Sequence, residues 1–281
     1  MLFTINHNTT YTYSQPVALG QHVFRLRPRT DGSQRLLDFQ LKIEPEPSLL
    51  SECLDLEGNG VVHAWFSGTT TRLHITSAIT LETLRRDPFD YRLEAGFNRL
   101  PVTYDAVLES RLAPYCSATG IAPGIHAFTQ ALAEETGPDP LAFLSMLNDR
   151  LHAMIDREIR PEGEAQPPEL TLALKKGACR DLTVLFMAAC RVHGLATRFV
   201  SGYQKGWPGR RERYLHAWPE VYLPGGGWRG YDPTHGSLVA DEHVPLAAAH
   251  TQTGTMPIEG AFTAAAGVTS KLEFTVIINV W

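Results

Sequence analysis

Through residues 1–88 apolar and polar positions alternate, and the alternation breaks at Gly, Asn and Pro clusters. That is the pattern of antiparallel strands joined by turns. Thr9–Tyr13, Val23–Leu26, Phe39–Ile43, Val61–Phe66 and Thr71–Thr76 are the expected strands. A small β-sandwich is the architecture that buries their common face. Residues 89–113 carry no period and read as a linker. From Gly124 the spacing becomes helical. One helix is expected to about Thr136 and a second from Asp139 to Ile159, with Pro140 in its first turn and Leu144, Leu147, Leu151 and Ile155 on one face. Pro161–Pro168 is a polar, proline-bearing loop.

Residues 179–193 are apolar nearly all round past the first turn, as in a helix buried on most sides, and Gly194 is its stop. Strand-like runs follow at Thr197–Tyr203, His216–Leu223 and Gly227–Tyr231, and Pro224-Gly225-Gly226 turns the last two into a hairpin. Residues 236–267 are low in pattern, and Val244–His250 fits a helix or a short strand. Lys271–Val280 alternates again and is the last strand, with its partner sheet left open. The expected fold class is α+β. A β-sandwich occupies 1–88, a linker 89–113, and a domain of helices on an antiparallel sheet 114–281, which includes the C-terminal strand.

Composition narrows the function. The chain has 281 residues, 43% of them hydrophobic and 20% charged, which is ordinary for a globular protein. Its net charge of −5, from 25 basic and 30 acidic residues, argues against a nucleic-acid partner. No apolar stretch is long enough to cross a bilayer, so no membrane partner is expected. The N-terminus lacks the basic-then-apolar order of a signal peptide. Four scattered Cys form neither a disulfide framework nor a zinc pattern. A reducing cytoplasm is the expected location.

The candidate chemistry lies in three places. Cys179 opens the buried helix, where the dipole and the free N–H groups favour a thiolate and can receive an oxyanion. Gly177 and Ala178 leave room for a substrate backbone. His216 opens a strand with Trp218 on the same face. If Leu223 pairs with Gly227, His216 and Asp232 become diagonal neighbours across the hairpin; a slip of one residue would separate them. Pro219 lacks an amide donor and belongs where the ladder is unpaired. Thiol, imidazole and carboxylate then form a nucleophile, a base and its orienter. His235 ranks below His216, because it lies in the loop after the strand. Cys190 reads as a structural thiol, and Cys53 and Cys116 have no supporting context.

Gly177-Ala178-Cys179-Arg180-Asp181, Arg191 to Tyr203, His216-Ala217-Trp218 and Trp228 to Thr234 resemble the transglutaminase-like cysteine enzyme superfamily. His7, Tyr11, Tyr13, Pro16-Val17, Leu26 to Arg29 and Gly58-Asn59 resemble the β-rich region that precedes this domain in bacterial members. The resemblance implies a papain-like core with Cys179, His216 and Asp232 as the triad. It implies attack on a protein or peptide amide through a thioester, with no metal and no organic cofactor. Hydrolysis is the expected outcome, amine transfer to a glutamine side chain the close alternative, and a non-catalytic binding module that keeps the fold a third. A metal site of His216, Asp232 and His235 lacks a compact ligand spacing. Two segments depart from the family pattern: Arg157-Glu158-Ile159-Arg160-Pro161 stands where an aromatic pair is common, and His243 to His250 where a Gly-Arg-Asp-Tyr-like segment is common. The oligomeric state is left open.

Overall fold

The computed structural model describes residues 1–160, 163–206 and 213–281. Pro161 and Glu162 of the expected loop lie outside them, and so do residues 207–212 of Trp207–Arg213, whose sequence reads as an exposed basic turn.

The N-terminal half is built on one 23-residue strand, β1 (Leu2–Phe24), with β2 (Gln34–Glu44), β3 (Leu49–Leu54), β4 (Gly60–Trp65) and β5 (Thr70–Thr83). All the pairings are antiparallel. The first half of β1 pairs with β5 and the second half with β4. Phe3, Ile5, His7, Thr9, Val17 and Leu19, all odd positions, are buried; beyond the register shift between Leu19 and His22 the buried residues are His22 and Phe24. Such a shift changes which parity faces inward, so a bent strand keeps one apolar face on the core.

The segment expected as a linker carries a helix, α1 (Ala106–Cys116), whose first turn is capped by the Asp105 carboxylate accepting from the amides of Val107 and Leu108. α2 (Pro123–Thr136) and α3 (Pro140–Met154) follow, and Asp139 caps α3. α3 ends five residues before the expected Ile159. Ile155 is extended, and the chain enters the short strand β6 (Asp156–Arg157), where Asp156 N–H donates to the Lys175 carbonyl. α4 (Pro168–Leu174) and β7 (Lys176–Gly177), which pairs in parallel with β6, lead into α5 (Cys179–Val192). Gly194 stops α5 with φ 74°, and any Cβ there would lie 2.4 Å from the Val102 carbonyl oxygen.

β8 (Thr197–Gln204), β9 (His216–Leu223), β10 (Gly227–Asp232), β11 (Ser237–Leu238) and β12 (His243–Ala249) form a five-stranded antiparallel sheet in the order β11-β10-β9-β8-β12. α5 covers β8 and β9. Leu182, Leu185, Phe186 and Ala189 of the helix join one core with Val221, Leu223 and Tyr231 of the sheet and Phe143, Leu144, Leu147 and Leu151 of α3. Val244–His250 is therefore a strand over most of its length. Beyond a 3-10 turn at Thr253–Thr255, β13 (Ile258–Thr263) and β14 (Ser270–Val280) return to β1, on the opposite side from β4 and β5. The last strand thus lies in the N-terminal sheet.

The two halves share a core. Tyr203 of β8 and Val244 and Leu246 of β12 pack with Phe3, Ile5, Leu73 and Ile75. The N-terminal region also closes the free edge of β12. The Asn59 side chain accepts from Ala248 N–H at 2.8 Å and donates to the Ala248 carbonyl at 3.0 Å, as a neighbouring strand would. The Pro245 carbonyl accepts from Arg29 N–H at 3.1 Å and from Gln34 Nε2 at 2.9 Å. Arg29 and Asn59, two positions that carried the N-terminal resemblance, are thus among the contacts with the second sheet.

Candidate active site

The hairpin register is the one that the turn demands. Leu223 pairs with Gly227, and the recorded ladder runs to Gly230 opposite Glu220. It stops at Pro219, which has no N–H to offer to β10. On its other side β9 remains paired with β8, including Pro219 opposite Phe199. The geometry leaves His216 Nε2 2.8 Å from Asp232 Oδ2, with both side chains buried.

Cys179 is the first residue of α5. The helix start is fixed by Asp181, which is wholly buried. Its Oδ2 accepts from Ala178 N–H at 2.7 Å and Arg160 Nη1 at 2.8 Å, and its Oδ1 accepts from Arg160 Nη2 at 2.8 Å and Gln166 N–H at 2.7 Å. An acidic residue in the first turn suits the helix dipole. Here it also ties Arg160 and Gln166 to the nucleophile's turn. The His216 side chain hydrogen-bonds to the Cys179 thiol, and Ala217 N–H donates to the same sulfur. Since Nε2 of His216 serves Asp232, Nδ1 is the atom left for Cys179.

The electrostatics follow from these contacts. Burial opposes ionisation of Cys179, but the hydrogen bond and charge of His216 and the Ala217 amide outweigh it, and the thiol falls below its ordinary value. Burial likewise opposes a charged His216, yet Asp232 and Cys179 push it up to about 10. The Asp232 carboxyl is held well below the carboxylate range: burial would raise it, and His216, His235 and His243 together reverse that. The arrangement favours a thiolate–imidazolium pair. By contrast, burial raises Cys190 and Cys116. Cys53 is exposed on β3.

Asp232 holds more partners than the sequence indicated. Oδ2 also accepts from His235 Nδ1 at 2.8 Å and His243 Nε2 at 3.0 Å, and Oδ1 from the amides of Thr234 at 3.0 Å and His235 at 3.2 Å. His243 was not among the expected site residues. It begins a strand in a stretch without clear period, and nothing local marks it. Among the described residues, His216, Asp232 and His243 are also the group whose ligand atoms come close enough for a metal, within 4.8 Å of one another. Their common hydrogen bonding to Oδ2 accounts for that convergence.

Cys179 and His216 open into a cleft of about 430 Å³. Ala178 lines it, and so do Arg157, Glu158, Ile159 and Arg160, where the family pattern has an aromatic pair. Aromatic and apolar lining comes instead from both halves, with Tyr11 of β1 and Leu272 and Phe274 of β14 on one side and Phe199, Tyr214 and Leu215 on the other. Gly177 and Trp218 do not line the cleft. A Cβ at Gly177 would lie 3.0 Å from Asp181 Cβ and 3.1 Å from Thr171 Cγ2, so its small size serves packing behind the nucleophile. Trp218 is fully buried, with its ring 5.9 Å from that of His216 and 5.2 Å from that of His243. It backs the histidines and has no surface to offer a substrate.

Comparison with known proteins places this geometry. Residues 129–233 match the transglutaminase-like superfamily, and residues 3–82 match the bacterial transglutaminase-like N-terminal region. An uncharacterized protein of Mycobacterium tuberculosis, Rv2569c, is 26% identical over 276 residues, which cover 92% of this chain and 86% of its own. A Mycobacterium leprae protein, ML0607, is 23% identical over 269 residues, 91% of each chain. A solved structure from Cytophaga hutchinsonii, whose name proposes a cysteine protease, superposes with a TM-score of 0.73 at 18% identity; the match covers 99% of this chain and 90% of that one. That likeness extends the shared fold across both halves. The chain belongs to the transglutaminase-like superfamily, whose members are usually cysteine enzymes, and it carries the bacterial N-terminal region of that group.

Proposed function

We propose that this protein is a cysteine hydrolase of protein or peptide amides, with Cys179 as nucleophile, His216 as general acid and base, and Asp232 as its orienter. One observation carries the reading: the His216 imidazole binds the Cys179 thiol on one side and Asp232 on the other, at the wall of an open cleft. The thiolate attacks the amide carbonyl, a C–S bond forms, and the π electrons move to oxygen. The N–H of Cys179, at the start of α5, is the donor available for that oxyanion. The His216 imidazolium then gives its proton to the leaving amine, and the C–N bond breaks. In the second half His216 takes a proton from water, which attacks the thioester. Collapse of that intermediate breaks the C–S bond and returns the thiolate and a carboxylic acid.

Water is the default acceptor, because none of the described lining residues marks a second site for an amine. A reduced Cys179 is required throughout, which fits a reducing compartment. Among the described residues no helix is long and apolar enough to cross a membrane. The test uses an internally quenched peptide library with the protein and its Cys179→Ala variant, in parallel with labelled primary amine and a glutamine-bearing protein. Cleavage that disappears in the variant is the expected result. Cleavage unaffected by Cys179→Ala would end this reading, and amine incorporation without cleavage would replace hydrolysis by transfer.

A further inference from the structure

Asp232 Oδ2 faces three imidazole nitrogens at 2.8, 2.8 and 3.0 Å, from His216, His235 and His243. A carboxylate that serves a single histidine concentrates its charge on that ring; one that serves several divides it. His243 differs from the other two in place and chemistry. It is only 4% exposed, off the cleft, and no other carboxylate reaches it among the described ion pairs. The titratable groups that face it are Asp232, His216 and His235. Its neighbour Glu242 pairs outward with Lys205 at 2.9 Å. Burial lowers His243 below the ordinary histidine value despite Asp232, so the ring is neutral and its one N–H sits on Nε2, facing the carboxylate. Nδ1 has no hydrogen-bond partner. A buried ring that leaves one nitrogen unsatisfied to aim the other at an anion is held there by its surroundings. The strand that carries it, β12, is gripped at Pro245 and Ala248 by Arg29, Gln34 and Asn59.

Resting on the catalytic reading above, we propose that His243 is a positioning residue that moderates Asp232: its Nε2–H shares the carboxylate charge and thereby limits how strongly Asp232 holds the proton on His216. Without it, Asp232 turns more of its charge on His216, the imidazolium persists to higher pH, and its proton is released less readily to the leaving amine. The N-terminal region acts on the chemistry through this residue, because it anchors the strand from which His243 projects.

The test needs no substrate. Iodoacetamide alkylation is followed against pH at the Cys179 peptide by mass spectrometry, so that labelling of the exposed Cys53 is counted apart, in the unsubstituted protein and in His243→Leu and His243→Gln, each checked for a folded spectrum. The Gln amide nitrogen can take the place of Nε2 and serves as the conservative variant. In His243→Leu the upper-pH limb, where His216 loses its proton, moves up by about half a unit or more, and His243→Gln restores it. A limb that stays in place or moves down in His243→Leu overturns the proposal. If His243→Leu does not fold, His243→Gln decides: a limb within about 0.2 unit of the unsubstituted one supports the donor role, and a displaced limb overturns it. Cys179 alkylation in the unsubstituted protein that is no faster at neutral pH than that of an ordinary exposed thiol overturns the functional reading, and the role of His243 falls with it. Fast alkylation with an unmoved limb overturns the role of His243 alone.

Discussion

The N-terminal sheet and the catalytic sheet meet in one apolar core but are specified by different kinds of information. In the catalytic sheet each decisive feature is local. A helix start places Cys179, and a three-residue turn sets the register that brings His216 to Asp232. In the N-terminal sheet the decisive features are long-range. β1 exchanges partners along its length, and two of them, β13 and β14, come from the far end of the chain. The site borrows from both. Its chemistry is local, while part of its aromatic wall and the anchorage of β12 are supplied across the molecule. The N-terminal region is thus a working part of the cleft.

The largest expected effect tests the local half. Cys179→Ala should lower peptide turnover by roughly four orders of magnitude or more while leaving the unfolding midpoint nearly unchanged, since it removes one sulfur at the edge of the cleft. Turnover assays and urea melts on the same preparation read the two quantities. Asp232→Asn should cost less turnover than loss of the nucleophile but more stability, because three histidines and two amides are arranged around a carboxylate. An inactive and equally destabilised Cys179→Ala would mean that the thiol is structural and that the contrast between the halves is misplaced.

How much was legible follows the same division. The Cys179 helix, the Gly194 stop, the Leu223–Gly227 register and the His216–Asp232 contact could be read from capping, periodicity and turn length. The pairing of Lys271–Val280 with β1 could not, because alternation identifies a strand without naming its partner. α1 was missed because Pro114 lies inside it and its apolar stripe is weak, although Asp105 was an available cap. α3 was overextended because Ile155 continues the helical spacing while tertiary pairing with β7 draws the chain into β6. His243 was invisible for the reason that governs most positioning residues. Its partner is eleven positions away, on a strand three places across the sheet, and no local pattern encodes that contact.

Asn59 tests the long-range half. Its amide satisfies both backbone groups of Ala248, and Asn59→Leu leaves a buried donor and a buried acceptor without partners. Each orphaned group costs about 1–3 kcal/mol, so a loss near 4 kcal/mol is expected in urea unfolding. If β12 is anchored from this side, turnover per folded molecule should also fall. A stability loss below about 1 kcal/mol would show that the edge of β12 holds itself, and the two halves would then be neighbours rather than partners.

The finest test is a pair of histidines that oppose each other in pH. His7 of β1 joins Tyr203 of β8, with Nδ1 2.8 Å from the hydroxyl, and burial lowers its pKa from 6.5 to about 4. Below pH 6.5 the unfolded chain takes a proton that folded His7 refuses, so this contribution is intact above that pH and is lost as pH falls towards 4. The full loss is about 3 kcal/mol, and His7→Gln should remove the slope. His216 is raised to about 10, so its contribution is fully present below 6.5 and is lost as pH climbs through 10. Acid therefore weakens the junction between the halves and alkali weakens the triad. Tyr203→Phe should give the smallest effect, about 1 kcal/mol at neutral pH, since it deletes one hydrogen bond and keeps the packing of the ring. Urea melts from pH 4 to 10 on the unsubstituted protein, His7→Gln and Tyr203→Phe separate these terms. An acid slope that survives in His7→Gln would assign that weakness to the carboxylates and leave the junction indifferent to pH.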